Sequence, residues 1–488
     1  MDNTLNNRIL SATKWSTVTE IAAKLVVPIT NMILARILAP EIFGIIATIN
    51  MVISFCDLFT SAGFQKYLIQ HEYKEEKDLH RGATVAFWTN LTLSLSLWLL
   101  LVVFRDGIAE FVGSPGYGNA IVAAGASLPL TALSSIQIAL NQRKLNYKTL
   151  FLNRLAAIFT PFAVTIPLAL LGFSYWSLII GTVSGYLVQG VVLTLCAPWK
   201  PTFYYSFPLL KEMLSFSIWT LCETFALWAS SWVDIFIISN RLSTYHTGLY
   251  RTGQSTVTAI LSIVTSSVTS VLFSSLSKVQ NDDEKFEEVF LSFQKIVAML
   301  VLPLGCGIFL YSDLITTILL GKQWLEASSF IGVWGLCTAL VATYGTFSRE
   351  SYRAKGKPKV SLIAQLLHLV FVIPVCYWGT TRGFSTLIYA RSFAFLQIVL
   401  VHLIFMKLVI KFNISKMFTT TFPCIVSSLC MVAVSLALHK MLAQSLVLDF
   451  LEIFICIVVY FSVLCLFSSY RAMLKEFIKR FKKRQYRA

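Results

Sequence analysis

Apolar residues run along this chain in windows about 20 long, separated by short polar stretches, from near residue 15 to near residue 468. At about 1.5 Å per residue, a helix of that length crosses the roughly 30 Å hydrocarbon core of a bilayer. Fourteen windows are present, the first near 15–37, the second near 41–64, the seventh near 213–239, the eighth near 243–274 and the last near 447–468. The pattern predicts an all-α polytopic membrane protein with about 14 transmembrane helices. The first window is too long and too polar for a cleaved signal peptide, and no small-residue cleavage site follows it, so it is expected to remain on the protein.

Polar residues inside the windows fall on stripes. At about 100° per residue, Thr17, Glu20, Lys24, Pro28 and Asn31 occupy about 80° of the first helix. Asn50, Ser54, Asp57 and Ser61 align on the second, Trp219, Glu223, Ser230 and Asp234 on the seventh, and Thr247, Arg251, Gln254, Thr258 and Thr265 on the eighth. A charge at the bilayer centre costs about 2.5–3.5 kcal/mol on insertion scales, so these stripes are expected to face one another or water rather than lipid. Lys24 and Arg251 both fall near mid-membrane. Lys24 has two open readings, an i to i+4 pair with Glu20 or a contact to substrate. Arg251 has no acidic residue in its own window, which makes Glu223 or Asp234 its candidate partner. Asp57 reads as a cap, a salt-bridge partner or a proton site. Lys295 and Arg391 stand near span ends, where snorkelling accounts for them. Prolines recur within the spans, from Pro28 to Pro423, and predict bent helices.

A shift of 204 residues lays Trp15 over Trp219, Leu38 over Leu242 and Gly44 over Gly248, so the first two windows align with the seventh and eighth. Six windows separate the copies, an even number, which keeps them in the same orientation. Parallel repeats with a site between them near the midplane are a transporter architecture. The expected organisation is an N-terminal lobe over 1–204, a C-terminal lobe over 205–412, two further helices over 413–470 and a basic tail over 471–488.

Composition agrees with a lipid solvent: 56% of the residues are hydrophobic and 13% charged, against roughly 25% charged in soluble domains. The net charge of +16 is an orientation signal. With a cytoplasmic N-terminus, 30 of the 40 Lys and Arg lie on the cytoplasmic side, and only Arg36, Arg105, Arg241, Lys322, Arg382 and Lys440 lie opposite. This predicts a multi-pass membrane protein with both termini cytoplasmic. The tail "KEFIKRFKKRQYRA" reads as a lipid-headgroup anchor rather than a nucleic-acid arm. The ten Cys are scattered without a CxxC and the six His are dispersed, so no metal or disulfide framework is inferred. There is no GxxxxGK phosphate loop, and every predicted loop is short. Any activity must reside in the helical bundle.

The run "KWSTVTEIAAKLVVPITNMILARILAPEIFGIIATINMVISFCDLFTSAGFQKYLIQ" resembles the Wzx-type polysaccharide flippases, most closely the branch serving colanic acid and related exopolysaccharides. The resemblance is specific over about residues 10–75. It extends over the whole chain as the topology of the multidrug, oligosaccharidyl-lipid and polysaccharide exporter superfamily. It implies a V-shaped pair of six-helix lobes and, as substrate, an undecaprenyl-diphosphate-linked oligosaccharide turned from the cytoplasmic to the periplasmic leaflet. In the related lipid II flippases, cationic residues on helices 1, 2 and 8 face a central cavity. Lys24 and Arg251 occupy comparable places here, whereas the second helix offers only Asp57.

On this reading Lys24, Arg251, Asn31, Gln254 and Trp219 contact substrate, and Glu20, Asp57, Glu223 and Asp234 balance charge or couple to H⁺ or Na⁺. No cofactor is expected, and the membrane potential is the alternative driving force. Expected partners are the lipid-linked glycan, the bilayer and the polymerase and chain-length regulator of the same pathway. An ion-coupled multidrug exporter and a membrane polysaccharide polymerase or glycosyltransferase are the rival readings.

Overall fold

The computed structural model describes residues 15, 19, 22–23, 26–61, 64–73, 75–196, 199–441, 445–473 and 475–476, with the side chains of 61, 196, 215–223 and 270 outside that set. Among the described residues there are helices and no strand, and twelve helices are long and apolar enough to cross a membrane. We number the elements α1 (Val26–Ile37), α2 (Pro40–Ser61), α3 (Glu76–Val103), α4 (Gly118–Arg143), α5 (Tyr147–Leu170), α6 (Tyr175–Cys196), α7 (Phe207–Arg241), α8 (Thr244–Lys278), α9 (Asp283–Leu310), α10 (Lys322–Ala354), α11 (Pro358–Thr381), α12 (Phe384–Ile410), α13 (Ile414–Met441) and α14 (Leu446–Leu464). Each falls on one of the fourteen sequence windows. The two not among the twelve are α1, a shorter apolar helix as described, and α7, whose Ser215–Glu223 side chains lie outside the described residues. The protein is a multi-pass membrane protein.

Large apolar side chains stay exposed along many helices, among them Leu99, Leu170, Val370, Leu400 and Phe454. Lipid is the solvent that makes such faces stable. Where helices meet each other, small residues let backbones approach. Gly181 and Gly185 of α6 form a GxxxG pair, and an added Cβ would come 1.8 Å from Thr165 Oγ1 at the first and 2.8 Å from Pro161 at the second, both on α5.

Contacts divide the chain into two compact units. The first takes the described residues up to Thr252 together with Leu319–Glu326 and Ile373–Leu387. Its core near the Lys- and Arg-rich end gathers Phe64, Tyr67, Leu68, Phe87, Ile136, Trp199 and Met213. Arg143 fastens the helix Phe64–Gln70 there by donating from Nη1 to the carbonyls of Leu68, Ile69 and His71 at 2.7, 3.2 and 2.7 Å. Those carbonyls lie at the helix's C-terminal end, where intrahelical partners run out.

The second unit takes Gly253–Ile318, Ala327–Val372 and the described residues from Ile388 on. α13 and α14 pack on α9 through Leu302, Cys424, Met431, Cys456 and Tyr460, and Tyr460 donates to the Met299 carbonyl at 2.8 Å. Arg391 departs from the snorkelling expected of it. It is 3% exposed and lies 5.0 Å over the Trp334 ring and 5.6 Å over Phe395. Aromatic faces inside the unit supply what the bilayer interface would otherwise have supplied.

Candidate substrate site

The polar stripes of α7 and α8 meet at one buried centre in the first unit. Asp234, 1% exposed, accepts the Tyr250 hydroxyl on Oδ2 at 2.7 Å and the Ile235 backbone N–H on Oδ1 at 2.9 Å. Arg251 follows Tyr250 in sequence. Its guanidinium lies 4.5 Å over the ring of Trp232, close enough to Asp234 for their charges to interact. A carboxylate this deep is tolerable because it is hydrogen-bonded and has a cation beside it. The ring covers one face of the guanidinium, whose N–H donors lie in its plane. Those donors form the planar fork that suits phosphate oxygens.

A second polar region lies on α2. Asp57, half-buried, accepts the Thr60 hydroxyl at 2.8 Å. One turn earlier, Ser54 accepts from Trp228 Nε1 of α7 at 3.0 Å, and the Trp228 ring leans on Phe55 at 4.9 Å. These contacts join the stripe of α2 to the face of α7 opposite its own stripe, inside the first unit. α7 therefore carries both an aromatic contact to α2 and the acid beside Arg251.

The other predicted site residues separate as follows. Asn31 is exposed on α1, and Gln254, half-buried, is in the second unit, where its backbone carbonyl accepts from the Thr258 hydroxyl at 2.8 Å. Glu20, Lys24 and the side chains of Trp219 and Glu223 lie outside the described residues. Sequence reading missed Trp232 and Tyr250. Trp232 stands on the face of α7 opposite the Glu223–Asp234 stripe, so periodicity had no reason to select it. The only available signal was an aromatic residue within two positions of a membrane-embedded acid.

Residues 33–329 match the polysaccharide biosynthesis protein family, more than half of the chain. The chain belongs to this family. Among curated relatives of this family member, the succinoglycan biosynthesis transport protein ExoT of Rhizobium meliloti is 25% identical over 324 residues, 65% of this chain and 64% of that protein, just under two thirds of its length. The lipopolysaccharide biosynthesis protein WzxC of Escherichia coli is 20% identical over 77% of this chain and 76% of its own. The probable low-salt glycan biosynthesis flippase Agl15 of Haloferax volcanii is 26% identical over 54% and 56%.

Among solved structures, the lipid II flippase MurJ in an inward closed conformation has a TM-score of 0.75 at 17% identity, covering 94% of this chain and 99% of that one. An inward-facing multidrug resistance transporter of the MATE family reaches 0.57 at 16% identity, over 83% and 99%. The fold is thus shared with a flippase and with a multidrug transporter. This family member has the helical fold and the membrane character expected from its hydropathy.

Proposed function

We propose that this family member is a flippase that turns an undecaprenyl-diphosphate-linked oligosaccharide from the cytoplasmic to the periplasmic leaflet of a bacterial inner membrane, with both termini cytoplasmic. The observation that carries the reading is the Arg251 guanidinium held on Trp232 beside the buried Asp234. A lipid-linked sugar has a tail that stays in lipid, a polar glycan and a diphosphate of about two negative charges. Only the last two need a path, and a cation within the span offsets the desolvation of the diphosphate. The names of the relatives support a polysaccharide pathway, and the fold suits transport by alternating access.

In this proposal Lys24, Asn31, Gln254 and Trp219 join Arg251 in contacting substrate, and Glu20, Asp57, Glu223 and Asp234 balance or couple charge. Residues 1–204 and 205–412 form the two lobes, and 413–470 the added helices. The driving force is an H⁺ or Na⁺ gradient or the membrane potential, which moves an anion outward downhill by about 2.3 kcal/mol per charge per 100 mV. The polymerase and chain-length regulator of the pathway receive the product.

The test is leaflet-resolved transport of defined lipid-linked oligosaccharides in proteoliposomes, with and without ion gradients. Transfer that depends on the protein and falls on Arg251→Ala supports the proposal. Absence of transfer, with export of cationic drugs instead, overturns it in favour of a multidrug exporter.

A further inference from the structure

We propose that the Lys- and Arg-poor end of the bundle is shut by a two-fold clasp, in which each half of the chain grips the end of the other half's first helix and Gly44 and Gly248 meet at the axis. A Cβ on Gly44 would come 1.8 Å from the Thr244 carbonyl oxygen, and a Cβ on Gly248 would come 1.9 Å from the Pro40 carbonyl oxygen. Each would also lie 3.0 Å from the other glycine's backbone nitrogen. Pro40 and Thr244 are 204 residues apart, as are Gly44 and Gly248. One contact is therefore made twice, which is the signature of an isologous two-fold interface. The backbones of α2 and α8 touch there with no room for a side chain.

A grip lies on either side, and the helix ends that the two grips hold, though not the segments that hold them, obey the same shift. The segment before α4 holds the end of α7: Ser239 donates to the Val112 carbonyl at 2.8 Å and Asn240 Nδ2 to the Phe111 carbonyl at 3.1 Å. Gly113, at φ +74°, lets that segment pass so close that a Cβ would lie 2.4 Å from the Ser239 oxygen. The segment entering α10 holds the end of α1. Trp324 Nε1 donates to the Ala35 carbonyl at 2.7 Å, and Gln323 Nε2 donates to the same carbonyl and to that of Leu38. Gly321, at φ +106°, lies against Arg36. Ala35 and Ser239, and Arg36 and Asn240, are again 204 apart.

Chance identity between apolar segments explains three aligned residues, but not two equivalent pairs, Gly44 with Gly248 and Pro40 with Thr244, that meet each other in reciprocal contacts. All of these residues belong to the first compact unit, Leu319–Glu326 included. Because the glycine contact lies between the two grips and each grip joins one half to the other, rotation of one half against the other breaks them together. The clasp is then a two-state device with no stable half-open form.

The test uses the full chain in proteoliposomes with its ten Cys replaced and Asn31→Cys, one turn inward of Ala35, as reporter to a membrane-impermeant maleimide on the Lys- and Arg-poor side. Gly44→Val and Gly248→Val should each raise the labelling rate about ten-fold, as an overpacked contact shifts the population toward the open state. Trp324→Phe, which removes the N–H donor and part of a fully buried ring, should raise it about three- to five-fold or more. Gly107→Val, where an added Cβ meets nothing within 4 Å, should leave it unchanged. Hydrogen exchange should show reciprocity, with Gly44→Val deprotecting residues 239–248 and Gly248→Val deprotecting 35–44. Unchanged labelling in folded valine variants, or deprotection confined to the substituted half, overturns the clasp. If the valine variants fail to fold, the same labelling on Trp324→Phe and Ser239→Ala decides, and no rise in either overturns it.

Discussion

Tyr250 donates its hydroxyl proton to Asp234 Oδ2 at 2.7 Å, both residues being almost wholly buried. The bond joins α7 to α8 within the span and fixes the acid that stands beside Arg251. Three consequences meet here: stability of the hairpin, placement of the cation, and the net charge offered to an anion.

Tyr250→Phe keeps the ring and removes one of the donors to the Asp234 carboxylate. A buried charged acceptor left short of a donor costs about 1–3 kcal/mol. The purified variant is expected to unfold at lower temperature in detergent while eluting as the native species. Combining it with Asp234→Asn should cost less than the sum of the two single changes, since both act on one contact. Additive losses would show that the residues act separately.

Arg251 is held by its ring partner, so Trp232 should matter in proportion to its π face. A desolvated cation–π contact contributes about 0.5–2 kcal/mol, which corresponds to a rate loss of about 2- to 30-fold if Arg251 acts in transport. Leaflet-resolved assays should rank the native protein above Trp232→Phe and that above Trp232→Leu. Arg251→Lys keeps the charge but loses the fork and the stacking, and should fall with the leucine variant. Equal activity of the phenylalanine and leucine variants would reduce Trp232 to packing.

Hydropathy located α2 and α14 to within a few residues because a bilayer demands a fixed apolar length, and nothing in the tertiary structure can override that demand. The stripe that contains Asp234 was legible for the same reason, since a buried charge in lipid must face protein. Trp232 and Tyr250 were not legible. Their roles come from how α7 and α8 pack, and a helical wheel drawn for one helix carries no information about its neighbour. Arg391 shows the same limit: its position near a span end suggested snorkelling, whereas Trp334 and Phe395 hold it inside. The choice between Glu20 and substrate for Lys24 lies outside the described residues.

Asp282 caps α9 outside the span, accepting the Lys285 backbone N–H at 3.1 Å and pairing with the Lys285 ammonium at 2.9 Å. The side-chain bond to Lys285, with the backbone bond adding to it, holds the carboxyl below its ordinary 3.8. A carboxylate whose folded value is depressed stabilises the fold above its unfolded value and loses that contribution as pH falls through the folded one. Protection of the first turn of α9 should therefore be flat from about pH 8 to about pH 5, after correction for intrinsic exchange, and decline only below about pH 4. Asp282→Ala should lower protection above about pH 4, where the carboxylate is charged, and converge with the native protein in acid, abolishing that decline. A decline already complete at about pH 5 would contradict the assignment.

The strongest stability effect is expected at Glu452, 2% exposed on α14. Ser435 of α13 donates to its Oε1 at 2.9 Å, and the Tyr311 hydroxyl lies 2.9 Å from Ser435 Oγ. Serine has one hydrogen, and with that hydrogen given to the carboxylate, Tyr311 must donate to Ser435. The chain runs from the end of α9 through α13 to α14 and is polarised toward the acid throughout. Ser435→Ala removes the middle of the relay and leaves a buried carboxylate short of a donor, at about 1.5–3 kcal/mol. Tyr311→Phe removes only the neutral outer bond, at about 0.5–1.5 kcal/mol. The double variant should be no less stable than Ser435→Ala alone by more than a few tenths of a kcal/mol, because Tyr311 acts through the serine. Thermal unfolding of the three proteins in detergent reads the order directly. A Tyr311→Phe loss equal to or larger than that of Ser435→Ala would place the anchor of these helices at the tyrosine instead.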